Sequence, residues 1–199
     1  RFSISLNYLA EQIEGYFGDG SRWGIDIEYL RETEPLGTAG ALSLMPEKPT
    51  APLILMNGDL LTKLNFDKLI DFHEEHKAPM TVCVREYTYS VPYGVLETDG
   101  AFLNSIKEKP QRHALVNAGI YVISPEVLQR ITPGKRIDIT EIIEQLLDEG
   151  QKPAVFPVHE YWIDIGQKHD IERAMKEFSE VFSADSGLTS EEHPSELQS

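Results

Sequence analysis

The sequence predicts an α/β fold: a mixed, mainly parallel sheet flanked by helices, with a small β-hairpin annex. Three observations carry that reading. Short β-rich runs alternate with helical patterns from residue 25 onward, Leu53-Ile54-Leu55-Met56 is apolar at every position as a strand covered on both faces should be, and the second half turns to a hairpin pattern around Asp99-Gly100.

Taken in order, Leu6, Leu9, Ile13 and Phe17 follow helical spacing, so an element begins almost at Arg1. A strand is expected over 25–30, a helix near 40–44, and the doubly apolar strand over 52–56. The helix over 65–76 sets Phe66, Leu69, Ile70 and His73 on one stripe, and a strand over 79–86 follows it. Residues 94–103 read as the hairpin, since Asp-Gly tolerates the turn it requires; a run over 105–109 and a strand over 116–123 come next. Ile139, Ile142, Ile143 and Leu146 give a helix over 138–147 with an Asp138/Glu141 capping pattern and Gly150 beyond its end. A strand over 153–158 and a helix over 167–182, burying Ile171, Ala174, Met175, Phe178 and Phe182, close the body. There is no internal repeat. We therefore expect one domain over 1–182 and, over 183–199 with four acids and no Lys or Arg, a disordered or artefactual tail.

With 18 Lys+Arg against 33 Asp+Glu the formal charge is −15, which excludes wrapping of nucleic acid or adhesion to anionic membrane. No apolar run approaches the roughly 20 residues of a membrane-spanning helix. The single cysteine, Cys83, excludes an internal disulfide and is compatible with a cytoplasmic location. In the alternating run Thr81-Val82-Cys83-Val84 it reads as core rather than nucleophile. The histidines lack zinc-site spacing, and neither a Gly-x-Ser-x-Gly elbow, a Walker loop nor a dinucleotide fingerprint is present.

The residues that could carry chemistry stand where strand patterns stop, the place where open α/β sheets bind ligands. Asn57-Gly58-Asp59 follows the apolar strand, and Asp164 in Trp162-Ile163-Asp164-Ile165-Gly166 follows another extended run. Two aspartates at strand ends suit one Mg²⁺, which takes one or two carboxylates plus phosphate oxygens; two unrelated turns or helix caps would look the same. Glu34-Pro35-Leu36-Gly37-Thr38-Ala39-Gly40-Ala41 puts small residues and exposed amides at a helix start, fit for a flat base or an anion, or for a plain turn. Lys109 in Glu108-Lys109-Pro110 could neutralise a phosphate or make a surface salt bridge, and Asn117 and Gly119 could meet a hydroxyl-rich ligand or form a β-bulge.

In this order the motifs Pro35-Leu36-Gly37-Thr38-Ala39-Gly40, Asn57-Gly58-Asp59, Tyr93-Gly94-Val95, Glu108-Lys109-Pro110, Val116-Asn117-Ala118-Gly119-Ile120-Tyr121 and Trp162-Ile163-Asp164-Ile165-Gly166 carry a resemblance. From about residue 4 to 182 the chain resembles the sugar-1-phosphate nucleotidyltransferases, and within them the mannose-1-phosphate guanylyltransferase-like branch. The resemblance implies a Rossmann-like sheet and the joining of an NTP, GTP by branch, to a sugar 1-phosphate with release of pyrophosphate. It implies Leu36, Gly37 and Gly40 at the nucleotide, Asp59 and Asp164 on Mg²⁺, and Gly94, Glu108, Lys109, Asn117 and Gly119 at the sugar phosphate, with Glu108 on hydroxyls and Lys109 on phosphate. Catalysis would rest on Asp59, Asp164 and Lys109, by in-line positioning and charge neutralisation without a covalent nucleophile. Members often assemble, so a homo-oligomer is among the expectations.

The family's Gly-rich loop with its Arg, and the Pro-Lys after it, have no match here. The chain therefore reads as a fragment truncated at its N-terminus and, taken alone, a weak or inactive catalyst. A reading from a different class is a catalytically silent homologue that binds a nucleotide-sugar and regulates a partner subunit; two retained aspartates lean toward the enzyme.

Overall fold

The computed structural model describes residues 1–182; the expectation for 183–199 lies outside the described residues. The elements are β1 (Phe2–Leu6), α1 (Ala10–Phe17), a 3-10 turn (Ser21–Trp23), β2 (Ile27–Arg31), α2 (Gly37–Gly40) running into a second 3-10 turn (Ala41–Leu44), β3 (Leu53–Met56), β4 (Leu60–Thr62) and α3 (Phe66–His76). There follow β5 (Met80–Ser90), β6 (Val95–Asp99), β7 (Phe102–Lys107), β8 (Gln111–Ile123), α4 (Pro125–Leu128), α5 (Ile139–Asp148), β9 (Ala154–Pro157), β10 (Trp162–Asp164) and α6 (Lys168–Phe182). The described residues form two compact units, one of Arg1–Asn57 with Asn65–Val158, the other of Gly58–Leu64 with residues 159–182.

The first unit is built on a four-stranded sheet in the order β3-β8-β5-β9. The α/β class is borne out, and β5 and β9 pair in parallel, but β8 runs antiparallel to both of its neighbours. The reason is the connection: β5 reaches β8 through the β6–β7 hairpin, which returns the chain beside itself, whereas a parallel partner needs a crossover. The apolar run 53–56, read as a strand covered on both faces, is a sheet-edge strand with Ile54 exposed. Met80, Tyr121 and Ile123 pack with Ile139, Ile142 and Leu146 of α5 in one buried cluster. Thr81, next along β5, bonds His73 of α3, so strand alternation places α3 and α5 on opposite faces of the sheet.

The start of α5 follows its sequence signal, and α3 starts at Phe66 with residue 65 as its cap rather than its first turn. Asn65 caps α3 by accepting from the Lys68 amide at 3.0 Å, and Glu141 accepts from the Asp138 amide at 2.9 Å at the start of α5. The hairpin forms around Asp99-Gly100 and takes residues 105–107 of the run over 105–109 into β7, with a bulge between Glu97 and Thr98. At the N-terminus the helical reading fails for Leu6. Phe2, Ile4 and Leu6 alternate with serines, and that period of two wins: they form β1, parallel to β2, and the helix starts only at Ala10.

In the second unit β4 and β10 pair antiparallel and α6 follows. The helix is as expected but its burial is not. Only Ala174 of the stripe is buried; Met175 is 74% exposed, and Ile171 and Phe178 are exposed too. Periodicity identifies a stripe, and the neighbouring elements decide whether it is covered. Among the described residues no helix is long and apolar enough to cross a membrane.

Candidate functional site

The second unit brings Asp59 and Asp164 together. Asp164 lies opposite Leu60 in the β4–β10 ladder, and the Ile165 amide extends that ladder by donating to the Asp59 carbonyl at 2.8 Å. Leu60 and Ile163 are buried and hold the pair in place, while both aspartates are exposed. The Gly166 amide donates to Asp164 Oδ1 at 2.9 Å, and a Cβ on Gly166 would stand 3.0 Å from that oxygen and 3.5 Å from Asp59 Oδ2. The glycine leaves open the space onto which two carboxylates converge. Among the described residues no group of three or more His, Cys, Asp or Glu could hold a metal, so any cation here would rest on this pair and on non-protein oxygens. Such hard oxygen donors fit a small divalent cation that keeps waters or phosphate oxygens.

In the first unit the expected nucleotide residues sit in one turn. Leu36 is buried, 8% exposed, Gly40 is buried and Gly37 half-buried. The amides expected to be exposed are not available. Leu36 N donates to Glu32 Oε2 at 2.7 Å, Thr38 N to Asp138 Oδ1 at 3.0 Å, and Ala39 N and Gly40 N both to the Ile137 carbonyl at 3.1 Å. Glu32 and the segment ahead of α5 consume the donors that a free helix start would have offered an anion.

The hairpin root gathers Gly94, Glu108 and Lys109. A Cβ on Gly94 would lie 3.0 Å from Glu108 Oε2, so the glycine admits the carboxylate, and the Lys109 amide donates to the Tyr93 carbonyl at 3.2 Å. Glu108 and Lys109 are both exposed, with Lys109 in the left-handed backbone region (φ 44).

Asn117 and Gly119 form the bulge foreseen as one of their two readings: the β5–β8 register shifts between Val82 and Val84. Asn117 Oδ1 accepts from the Gly119 amide at 2.9 Å and its Nδ2 donates to the Tyr121 hydroxyl at 2.6 Å. Burial holds the Tyr121 phenol above its ordinary pKa, against the opposing effect of the Asn117 hydrogen bond. The Gly119 carbonyl accepts from Asn57 N at 3.0 Å, which ties the bulge to the residue just after β3. Three residues escaped the sequence reading as site residues: Gly166, Thr38 and Asp138. Gly166 was visible as the last residue of its motif, whereas nothing local pairs Thr38 with Asp138.

Residues 2–180 match the family described as nucleotidyl transferase. The chain is 34% identical over 175 residues to the mannose-1-phosphate guanylyltransferase catalytic subunit beta of Drosophila pseudoobscura pseudoobscura, covering 84% of this chain and 47% of that protein. It is 32% identical over 176 residues to the mannose-1-phosphate guanyltransferase of Saccharomyces cerevisiae, covering 84% and 48%. The crystal structure of HddC from Yersinia pseudotuberculosis complexed with GMP-PN superposes with a TM-score of 0.64 at 25% identity, covering 89% of this chain and 78% of that one. The chain spans about half the length of the curated relatives it matches.

Proposed function

The chain belongs to the nucleotidyl transferase family, and from that premise we propose that it serves the transfer of a nucleotidyl group from an NTP, GTP by preference, to a hexose or heptose 1-phosphate, giving a nucleotide-sugar and pyrophosphate. The observation that carries this reading is the convergence of Asp59 and Asp164 on the space that Gly166 leaves open. Carboxylates brought side by side repel unless a cation occupies the space they share, and the products of this reaction are polyanions.

In the proposed mechanism an oxygen of the sugar phosphate attacks the α-phosphorus of the NTP, the new P–O bond forms, and pyrophosphate leaves with the electrons of the bond that breaks. Leu36, Gly37 and Gly40 present a flat, close surface to base and ribose. Glu108, admitted by Gly94, accepts from sugar hydroxyls, and Lys109 offsets charge on the sugar phosphate. Asn117 and Gly119 shape the bulge beside the sugar, and Asn117 offers the sugar its remaining amide hydrogen. Asp59 and Asp164 would hold Mg²⁺, which when bound neutralises phosphate charge. Among these residues Lys109 is the one cation, so we expect slow turnover by this chain as it stands. The domain is proposed to span 1–182, to act in the cytoplasm without nucleic acid or membrane, and to assemble with copies of itself.

The test is pyrophosphate release from ATP, GTP, CTP, UTP and dTTP with a panel of sugar 1-phosphates in Mg²⁺, using this chain and a chain joined to a family Gly-rich loop. Turnover that prefers GTP and is lost in Asp59→Asn is the expected result. Nucleotide-sugar binding without turnover in either chain would overturn the proposal in favour of the silent regulatory homologue.

A further inference from the structure

The turn that carries Leu36, Gly37 and Gly40 does not stand alone: it is locked to the start of α5 by two side chains that each cap the other's segment. Thr38 N donates to Asp138 Oδ1 at 3.0 Å, and Ile139 N, the first amide of α5, donates to Thr38 Oγ1 at 2.8 Å. Between these two bonds Ile137 N donates to the Leu36 carbonyl at 2.8 Å, and the Ile137 carbonyl accepts from Ala39 N and Gly40 N. The second carboxylate oxygen of Asp138 accepts from Arg136 at 2.6 Å, so the aspartate is held on both sides.

The glycines answer to this segment. Gly37 has φ +79, and a Cβ there would meet Asp138 Oδ1 at 2.6 Å and the Ile137 carbonyl oxygen at 2.7 Å. A Cβ on Gly40 would meet the Lys135 carbonyl oxygen at 3.0 Å. The close approach that the motif permits is therefore already filled, on this side, by residues 135–138.

We infer that Thr38 and Asp138 are positioning residues for the nucleotide: they fix the turn through the start of α5, and the affinity of the turn for a base depends on that clamp. The inference rests on the nucleotide role proposed above for the same turn. Neither residue touches substrate in this scheme. Both act by satisfying donors that would otherwise leave the turn free to rearrange.

The test uses GDP as probe, titrated calorimetrically into the chain. Thr38→Val keeps the shape and removes the acceptor for Ile139 N; it is expected to raise the Kd about tenfold, or 1.4 kcal/mol, whereas Thr38→Ser, which keeps its acceptor, stays near wild type. Ile142→Val, in the buried face of α5 away from the clamp, serves as the control: it lowers the melting temperature with the Kd unchanged. Wild-type affinity in Thr38→Val, or an equal loss in Ile142→Val at matched melting temperature, would overturn the inference.

Amide exchange separates this outcome from failure of the proposed function. If the wild-type chain binds no nucleotide, the functional reading falls and the positioning role with it. Faster exchange at Ala39 and Gly40 in Thr38→Val with an unchanged Kd would leave the functional reading intact and overturn the positioning role alone.

Discussion

Asp59 and Asp164 are diagonal neighbours across the β4–β10 pair, with Asp164 facing Leu60 and the Asp59 carbonyl bound to the amide of Ile165. Backbone pairing sets their separation, so their spacing is as rigid as the ladder. Asp59→Asn or Asp164→Asn should weaken binding of Mg²⁺, or of Mn²⁺ as a spectroscopic substitute, at least tenfold, about 1.4 kcal/mol or more. Gly166→Ala places a methyl 3.0 Å from Asp164 Oδ1 and 3.5 Å from Asp59 Oδ2, and should weaken the same cation with little change in melting temperature. Electron paramagnetic resonance titration with Mn²⁺ reads both effects; unaltered binding in all three variants would dismiss the pair as a metal site.

Gly37→Ala should destabilise the chain by about 2 kcal/mol or more, because it combines a positive φ with contacts under 3.0 Å to Asp138 and Ile137. Gly58→Ala, with nothing within 4 Å of the added Cβ, should fall within about 1 kcal/mol of wild type. Urea unfolding of the two variants side by side checks the contrast.

Gly94→Ala should act through Glu108. The added methyl lies 3.0 Å from Glu108 Oε2 and displaces the carboxylate, so the KM for sugar 1-phosphate should rise about tenfold while the KM for GTP holds. Steady-state kinetics with each substrate varied in turn distinguishes this from general damage, which would move both constants.

His73 predicts an acid-sensitive stability. Ser124 Oγ donates to the Ala78 carbonyl at 3.1 Å, so it must accept from His73 Nε2 at 3.0 Å, and in the neutral ring Thr81 Oγ1 donates to Nδ1 at 2.9 Å. The ring is neutral, and burial lowers its pKa below the ordinary 6.5, against a smaller opposing pull from Glu126 and Glu74. The unfolded chain therefore takes up the proton first: this contribution is complete above pH 6.5 and is lost as pH falls through the lower folded value. Urea midpoints between pH 7.5 and 5 should fall in the wild type and fall less in His73→Gln.

What the sequence made legible was local. The Asp138/Glu141 pair and Asp99-Gly100 each act within a few residues, and each produced the expected cap or turn. Phe2, Ile4 and Leu6 were legible as well, but an overlapping helical spacing through Leu9 and Ile13 masked the shorter period. The edge position of 53–56, the exposed stripe of α6 and the bond between Thr38 and Asp138 depend on residues far away along the chain, and no window of sequence contains both partners. Of the site, the residue types and their order were readable; the bonds that Asn117 makes within its own strand were not.

Cys83 lies fully buried on β5 at the register shift, with Phe156 of β9 beside it. As the one cysteine of the chain it makes the sheet its own reporter. A thiol reagent can reach it only when the packing around β5 opens, so the labelling rate in native buffer reports that local opening, without a mutation or an attached dye.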